Sequence, residues 1–531
     1  MKIVNSQQML DLEESTATLG VSRDQLMDNA GLAIAKLVRD ILAPLTALNA
    51  TILVGPGNNG SDGLVTALYL HKWGCKVTVY TASSRPTTDT RFQSVLEQGI
   101  TCVHACNDPQ SNSLETLLKQ SDLIIDAILG VNTKYRPLSE KLSTMCNLIN
   151  TIREIQYGTK IISVDLPTGV YPDTGMVDPS AIKADITAAL GHPKIGALNF
   201  PGRGYIGDLK VLDIGLIKCT PVEKTINLRL LTSLEVSNNL PERPQSSHKG
   251  TFGHVLLIAG SKNYVGAAVL AASGALRSGA GLVSLATPES VYPIAASHIP
   301  EVIHLPLKED AHGRIHPDAL IDITEGITRY NVVAVGPGLG QSHTTNRFIA
   351  QLLDAVSTND IPIVIDADGL NNLSTIPGWW NILKSPAVIT PHPGELSTLT
   401  GKSTPDIQNN RITIAEEYSK LWDVTLVLKG ALTVIGSPNA VTSISPFINP
   451  GLATAGTGDV LTGVIAGLIA QGSKTYPAAF SGVYLHGYAG DLTTNMIGES
   501  GMIASDIAKR IPTAIMSLKG TASKKSHLSK A

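Results

Sequence analysis

Aromatic residues make up only 4% of this 531-residue chain, and cysteine occupies only five positions. So few rings exclude a surface built on stacking and leave small-residue packing and glycine-rich loops as its means of recognition. The five cysteines (75, 102, 106, 146 and 219) are odd in number and all lie before residue 220, which argues against a disulfide framework. Cys102 and Cys106 flank His104, but no second pair accompanies them, so they do not read as a metal site. The net charge is −3 with no long run of Lys or Arg, which argues against nucleic acid as a partner. No stretch approaches the ~20 apolar residues of a membrane span, and the first residues, MKIVNSQQMLDLEEST, lack an apolar signal core. The expectation is a cytoplasmic protein without a membrane partner.

The chain is 43% hydrophobic and 16% charged, with 48 glycines, as in an ordinary globular interior. Its length calls for more than one core. Helical patterns at 6–16 and 22–42 are followed by short β-branched runs at helix-length spacing: 50–55, 76–81, 122–129, 160–167 and 185–190. That alternation predicts parallel βαβ units. From about 216 to 250 the texture changes, ending in LPERPQSSHKG with its two prolines and no apolar period, which places the domain junction between about 216 and 240. The rhythm then restarts with runs at 254–260, 281–288, 331–338, 362–369, 387–395 and 425–430, and helices at 266–278 and 458–470. The fold class expected is α/β, with two doubly wound domains at 1–220 and 221–515. The basic segment 516–531 is expected to be a disordered tail.

In the second domain AGTGDVLTG stands out. Gly456, Thr457 and Gly458 leave the backbone uncrowded where a helix begins, so its N–H groups can converge on an anion beside Asp459. A first-turn carboxylate can also simply favour the helix dipole, worth about 0.3–1 kcal/mol. Two further strand ends carry polar groups: KGALT, Lys429–Thr433, and TPHPGE with His392 and Glu395. The order KGxxT then GTGD resembles the ribokinase-like superfamily. With SHKGTFGHVLLIAGSKNYVGAAV, GPGLG and DADGLN, the set resembles the ADP/ATP-dependent NAD(P)H-hydrate dehydratases over residues 240–510. The resemblance implies a ribokinase-like domain that removes water from hydrated NADH or NADPH at the expense of ADP and magnesium. Asp459 would be the catalytic base. Ala267, Gly338, His392 and Asp459 would touch the hydrated cofactor. Lys429, Gly430, Ala431, Leu432, Thr433 and Gly458 would hold the nucleotide.

In the first domain GPGNNGSDGLV follows a strand and opens a helix, with Gly55, Gly57 and Gly60 allowing a tight turn beside a diphosphate. IIDAILG and VDLPTG are strands ending in Asp126 and Asp165, and Asn59, Asp126 and Thr168 would suit a hard monovalent cation. Together with DNAGLAIA and PKIG, these motifs resemble the NAD(P)H-hydrate epimerase domain, a Rossmann-like fold. Implied are a potassium ion on Asn59, Asp126 and Thr168, and Asp165 as acid/base group on the nicotinamide ring. Asn58, Asn59, Gly60, Ser61 and Asp62, with the loop Gly130, Val131, Asn132, Thr133, Lys134, Tyr135 and Arg136, would hold the cofactor. Lys194 ranks as a second polar contact. Two positions depart from the family pattern: Ser61 replaces a glycine, and the loop from Gly130 lacks a second glycine and is one residue longer.

The two activities fit together, since an epimerase supplies a dehydratase with the stereoisomer it accepts. The alternative is a ribokinase-type small-molecule kinase carrying a non-catalytic nucleotide-binding module. The resemblance also implies a homo-oligomer.

Overall fold

A computed structural model describes residues 1–86, 88–131 and 137–528. The chain divides into two compact units, Met1–Asn227 and Leu228–Ala531.

The first unit is built on seven parallel strands: β1 (Asn49–Val54), β2 (Lys76–Thr81), β3 (Thr101–His104), β4 (Leu123–Ala127), β5 (Lys160–Val164), β6 (Ile186–Leu190) and β7 (Asp208–Leu212). Their order is β3-β2-β1-β4-β5-β6-β7, all pairings parallel. The chain reverses direction across the sheet between β1 and β4, the place where such sheets open a crevice at their carboxyl ends. β1 and β4 are apolar and buried almost throughout because helices cover both faces. Helix Asn58–Lys72 lies on this sheet and packs closely on helix Arg23–Leu42, where Gly31 faces Val65.

The second unit carries ten strands: β8 (Leu228–Leu230), β9 (His254–Ile258), β10 (Leu282–Pro288), β11 (Ile303–Leu307), β12 (Val332–Val335), β13 (Ile363–Ile365), β14 (Ala387–Ile389), β15 (Thr425–Leu428), β16 (Val434–Gly436) and β17 (Thr442–Ile444). The order is β11-β10-β9-β12-β13-β14-β15-β16-β17-β8, with antiparallel pairing only at β15–β16 and β16–β17. The direction change here lies between β9 and β12. Helix Thr457–Ala470 is buried along nearly its whole length, against helix Val265–Ser278 and strands β9, β12 and β13. An apolar, small-residue helix in that position is what a central layer requires.

Two boundaries differ from expectation. The first unit extends past residue 220, because helix Pro221–Thr225 packs on helix Ser6–Thr18 and Ile226 is fully buried. The segment from 516, expected as a disordered tail, continues helix Ala504–Leu528. Leu518 is buried there, its carbonyl accepts from Ser237 Oγ, and Lys519 Nζ donates to Pro241 O. An apolar stripe through Ile507, Ile511, Ala514 and Leu518 anchors that helix, and composition alone did not reveal the stripe. Among the described residues no helix is long and apolar enough to cross a membrane.

Candidate functional sites

In the first unit the carboxyl ends of β1, β4 and β5 open onto a cavity of about 330 Å³. Helix Asn58–Lys72 begins at its rim, and a methyl group on Gly60 would stand 2.1 Å from Gly55 O, so only glycine lets the turn close. Buried Arg85 clamps this turn. It donates to Gly55 O, donates to Ser61 Oγ at 2.8 Å and pairs with Asp89. Ser61 therefore has a specific partner, and its φ lies outside the left-handed region, so serine suits a place where the family pattern has glycine. Arg85→Met should lower the unfolding free energy of this unit by about 3–5 kcal/mol, because Asp89 would remain with its charge unpaired. Urea denaturation checks this.

Asp126, at the end of β4, is fully buried. Its carboxylate accepts from Ser163 Oγ (2.8 Å), Thr168 N (2.8 Å), Thr168 Oγ1 (2.7 Å) and Ile128 N (3.3 Å). Burial pushes the Asp126 carboxyl above its ordinary range against the pull of those donors. Thr168 Oγ1 also accepts from Leu129 N, and Asn59 Nδ2 donates to Leu129 O at 3.0 Å. Asn59, Asp126 and Thr168 are thus brought together around one turn, with the Asn59 amide against Gly130.

Asp165 follows β5 in the left-handed conformation, φ 65°, which Asp tolerates better than most residues. Its backbone N–H still pairs with Ala188 O, and its Oδ1 accepts from Leu190 N at 3.0 Å and from Lys194 Nζ. The Lys194 side chain is wholly buried, and its ammonium also donates to Leu190 O at 3.0 Å. An ion pair this enclosed is costly to form and costly to break from one side. Glu13 and Asp62 line the same cavity. Burial pushes both carboxyls upward, and the charge on Asp165 pushes them further; for Glu13 the Lys194 charge opposes this. Asn58 and Val131 lie in the wall of the same cavity. Asn132, Thr133, Lys134, Tyr135 and Arg136 lie outside the described residues.

In the second unit the site gathers at the carboxyl ends of β12 to β15. Gly456, at φ 88°, caps helix Thr457–Ala470 in a left-handed conformation natural to glycine, which turns the first N–H groups outward. Asp459 stands in the first turn. Its carboxyl is pushed up to about 7, first by burial and then by the charge of Asp366, with Asp368 and Glu395 adding to this and Lys429 opposing it. Asp366, buried after β13, accepts from Lys429 Nζ at 2.7 Å and from Thr462 Oγ1 at 2.7 Å. Lys429 Nζ lies 3.6 Å from Glu395 Oε2. Burial alone would lower the Lys429 ammonium, but Asp366 and Glu395 outweigh it and hold it above its ordinary value. A methyl group on Gly458 would lie 3.4 Å from Lys429 Nζ, so the lysine faces the helix start.

His392 caps helix Pro393–Thr400. Its Nδ1 accepts from Gly394 N and Glu395 N, and Glu395 Oε2 accepts from His392 N at 2.7 Å. With Nδ1 accepting, the imidazole presents Nε2–H on its exposed side. Gly338 and Ala267 are neighbours, a methyl on the former lying 3.0 Å from Cβ of the latter. Within Gly430–Thr433, Leu432 is buried core and its N–H donates to Phe447 O, while Thr433 Oγ1 donates to Gly430 O. That leaves Gly430 and Ala431 as the exposed part of the turn. Arg411, desolvated enough to fall to about 10, donates to Leu428 O and Lys429 O and holds this turn from behind.

Sequence reasoning assigned no role to Asp366, Thr462, Arg411, Arg85 or Glu13. Asp366 had a signal, a strand-end acid in DADGLN, and Thr462 another, a hydroxyl one turn after Asp459. The other three act from secondary-structure elements whose meeting no local pattern announces.

Each of the two units matches a known family. Residues 255–513 match the family described as NAD(P)H-hydrate dehydratase, and residues 23–196 the one described as YjeF-related protein N-terminus. The chain is 37% identical to a bifunctional NAD(P)H-hydrate repair enzyme of Moorella thermoacetica, covering 93% of this chain and 92% of the relative. It is 34% identical to one from Coxiella burnetii, covering 95% and 97%. An ADP/ATP-dependent NAD(P)H-hydrate dehydratase of Bacillus subtilis, co-crystallised with ATP and Mg2+, is 33% identical. It aligns over 55% of this chain and all of that one, with a TM-score of 0.49.

Proposed function

The chain belongs to the bifunctional NAD(P)H-hydrate repair enzymes, and from that premise we propose how its residues divide the work. The first unit is the epimerase and the second the dehydratase. The observation that carries the residue assignment is Asp459, a carboxyl set near neutrality on a helix start that faces Lys429.

In the dehydratase unit Asp459 takes the proton of the ring hydroxyl of the hydrate. The hydroxyl oxygen attacks the terminal phosphorus of ADP, and AMP leaves. Phosphate, a far better leaving group than hydroxide, then departs from the ring, the adjacent ring carbon releases a proton to solvent, and the electrons of that C–H bond restore the double bond. Gly456–Gly458 amides and Lys429 face the phosphoryl charge in flight, and such preorganised donors cost no reorganisation at the moment of reaction. Lys429, Ala431 and the backbone of Gly430–Thr433 hold the nucleotide; Ala267, Gly338 and His392 hold the hydrate. Magnesium neutralises phosphate charge when bound. Among the described residues no group of three or more His, Cys, Asp or Glu is placed to hold a metal ion by itself, and the ion would arrive on the nucleotide's phosphates.

In the epimerase unit the helix start Asn58–Ser61 and the loop from Gly130 hold the diphosphate, and the Asp165–Lys194 pair faces the nicotinamide ring. Asn59, Asp126 and Thr168 fit a potassium ion: one buried carboxylate without a cationic partner among the described residues, surrounded by neutral oxygens. The ion would supply fixed positive charge beneath the Gly130 turn. A homo-oligomer acting in the cytoplasm completes this reading, and the five free thiols suit a reducing compartment.

The test is incubation with hydrated NADH and ADP, following recovery of dihydronicotinamide absorbance. Recovery requiring ADP supports the assignment. Phosphorylation of a sugar or pyrimidine alcohol without such recovery would sink it in favour of a kinase.

A further inference from the structure

One side chain in the epimerase cavity is out of keeping with a diphosphate grip. Asp62 is only 7% exposed, lies one turn into helix Asn58–Lys72 and lines the cavity together with Glu13, Asp165 and Lys194. Among the described residues no donor and no cation bonds its carboxyl; only its backbone oxygen is engaged, by Thr66 Oγ1. Of the neighbouring cations, Lys194 pairs with Asp165, and Arg91 pairs through Nη2 with Asp24 and Asp28 while its buried Nε bonds to nothing among the described residues. A buried, unpaired carboxyl facing a cavity favours its neutral form. Burial, then the charges of Asp165 and Glu13, act on Asp62 in that sense, and Arg91 and Lys194 only oppose them. Of the remaining charges near the cavity, Arg23 also lies in its wall.

The chemistry of epimerisation asks for such a group. The hydroxyl sits on the carbon next to the ring nitrogen. The stereocentre can invert by breaking that C–O bond and re-forming it on the other face, the other route being to open the C–N bond to an aldehyde and close it again. On the first route the departing hydroxyl needs a proton, and the nitrogen lone pair fills in to give a C=N iminium. Water adding to the opposite face must lose a proton as the lone pair returns to nitrogen. One acid and one base, in opposite protonation states, are therefore required.

We propose that Asp62, carrying a proton, is the acid for the departing hydroxyl, across the ring from the Asp165–Lys194 pair that receives the proton of the incoming water. After one turnover the proton resides on Asp165 and Asp62 is ionised. That state serves the opposite stereoisomer, and exchange with solvent resets it.

The proposal rests on the epimerase assignment, and its test separates the two. With purified full-length protein and no ADP, interconversion of the two hydrates is followed by chromatography in ordinary water and in H2(18)O. If the wild-type protein gives no acceleration, the epimerase assignment itself fails. Given acceleration, 18O should enter the hydrate at each inversion; inversion without label would overturn the proposal. Asp62→Asn should keep its melting temperature and KM within about threefold of wild type, and lose at least about 100-fold in kcat. Asp62→Glu should regain part of that. The wild-type kcat/KM should fall as rising pH ionises Asp62, and the residual activity of Asp62→Asn should lack that limb. A variant that loses only KM, or keeps kcat within threefold, would assign Asp62 to binding and overturn the proposal.

Discussion

Asp459→Asn should lower ADP-dependent dehydration by about 100- to 10,000-fold while leaving the interconversion of the two hydrates unchanged. The asparagine keeps the shape of the helix start, so the amides of Gly456–Gly458 and the facing Lys429 remain, and only the proton acceptor is lost. The same carboxyl fixes the pH profile. With its pKa raised to about 7, it is ionised above that value, so kcat/KM of the wild type should rise tenfold per pH unit below 7 and level off above it. Stability runs the other way. Between its ordinary range and 7 the folded protein holds a proton that the unfolded chain has released, so stability falls as pH rises through that window. The loss reaches about 4 kcal/mol at most above pH 7. Asp459→Asn removes the charge, so the variant should melt higher than wild type at pH 8 and match it near pH 4. Calorimetry at both values, with initial rates of dihydronicotinamide recovery, checks the whole set. An inactive variant without the alkaline gain in melting temperature would mean that Asp459 is not strained by its surroundings.

That trade locates the cost of the site in its electrostatics. Asp366 receives both Lys429 and Thr462, and Glu395 shares the lysine, so one cation serves two carboxylates before Asp459 is counted. Burial first, and then the excess negative charge, keep Asp459 poised between protonation states rather than permanently ionised. On the proposed assignment an incoming nucleotide phosphate would compete for the same lysine, and a magnesium ion carried with it would offset the charge it adds.

What could be read from the residues, and what could not, follows burial. The central strands β1, β4, β5, β6, β9 and β12 are apolar runs covered on both faces, and every one was legible. The strands that escaped notice, β3, β7, β8, β11, β16 and β17, lie at or near a sheet edge. β3, β7 and β11 are half exposed and mix polar with apolar residues, and β8, β16 and β17 have three residues each, too few for any period to register. The site divides similarly. Asp126, Asp165, Lys429 and Asp459 follow strands or open helices in glycine-bearing motifs, so chemistry and local pattern coincide. Glu13, on a helix far earlier in the chain than Asp165, reaches the cavity only through the tertiary fold. Nothing in LDLEEST marks it.

Asp165→Ala should abolish use of one hydrate stereoisomer beyond its slow spontaneous interconversion, while dehydration of the accepted stereoisomer proceeds at the wild-type rate. Asp165 is one partner of a wholly enclosed ion pair, so its removal strands the Lys194 ammonium, whose remaining acceptor is Leu190 O. A buried cation left in that state costs about 3–5 kcal/mol, enough to confuse lost chemistry with lost folding in the first unit. Asp165→Asn separates them, since its amide oxygen can still accept from Lys194 and Leu190 N but cannot receive a proton from water. If Asp165 is the base, both variants lose epimerisation by about 100-fold or more, and the asparagine variant, whose oxygen still accepts from Lys194, melts later than the alanine one. If Asp165 merely holds Lys194 and the turn in place, the asparagine variant keeps its rate. The comparison is read on a mixture of the two hydrates with ADP: the fast phase should survive in both variants, and the slow phase should fall to the rate of spontaneous interconversion.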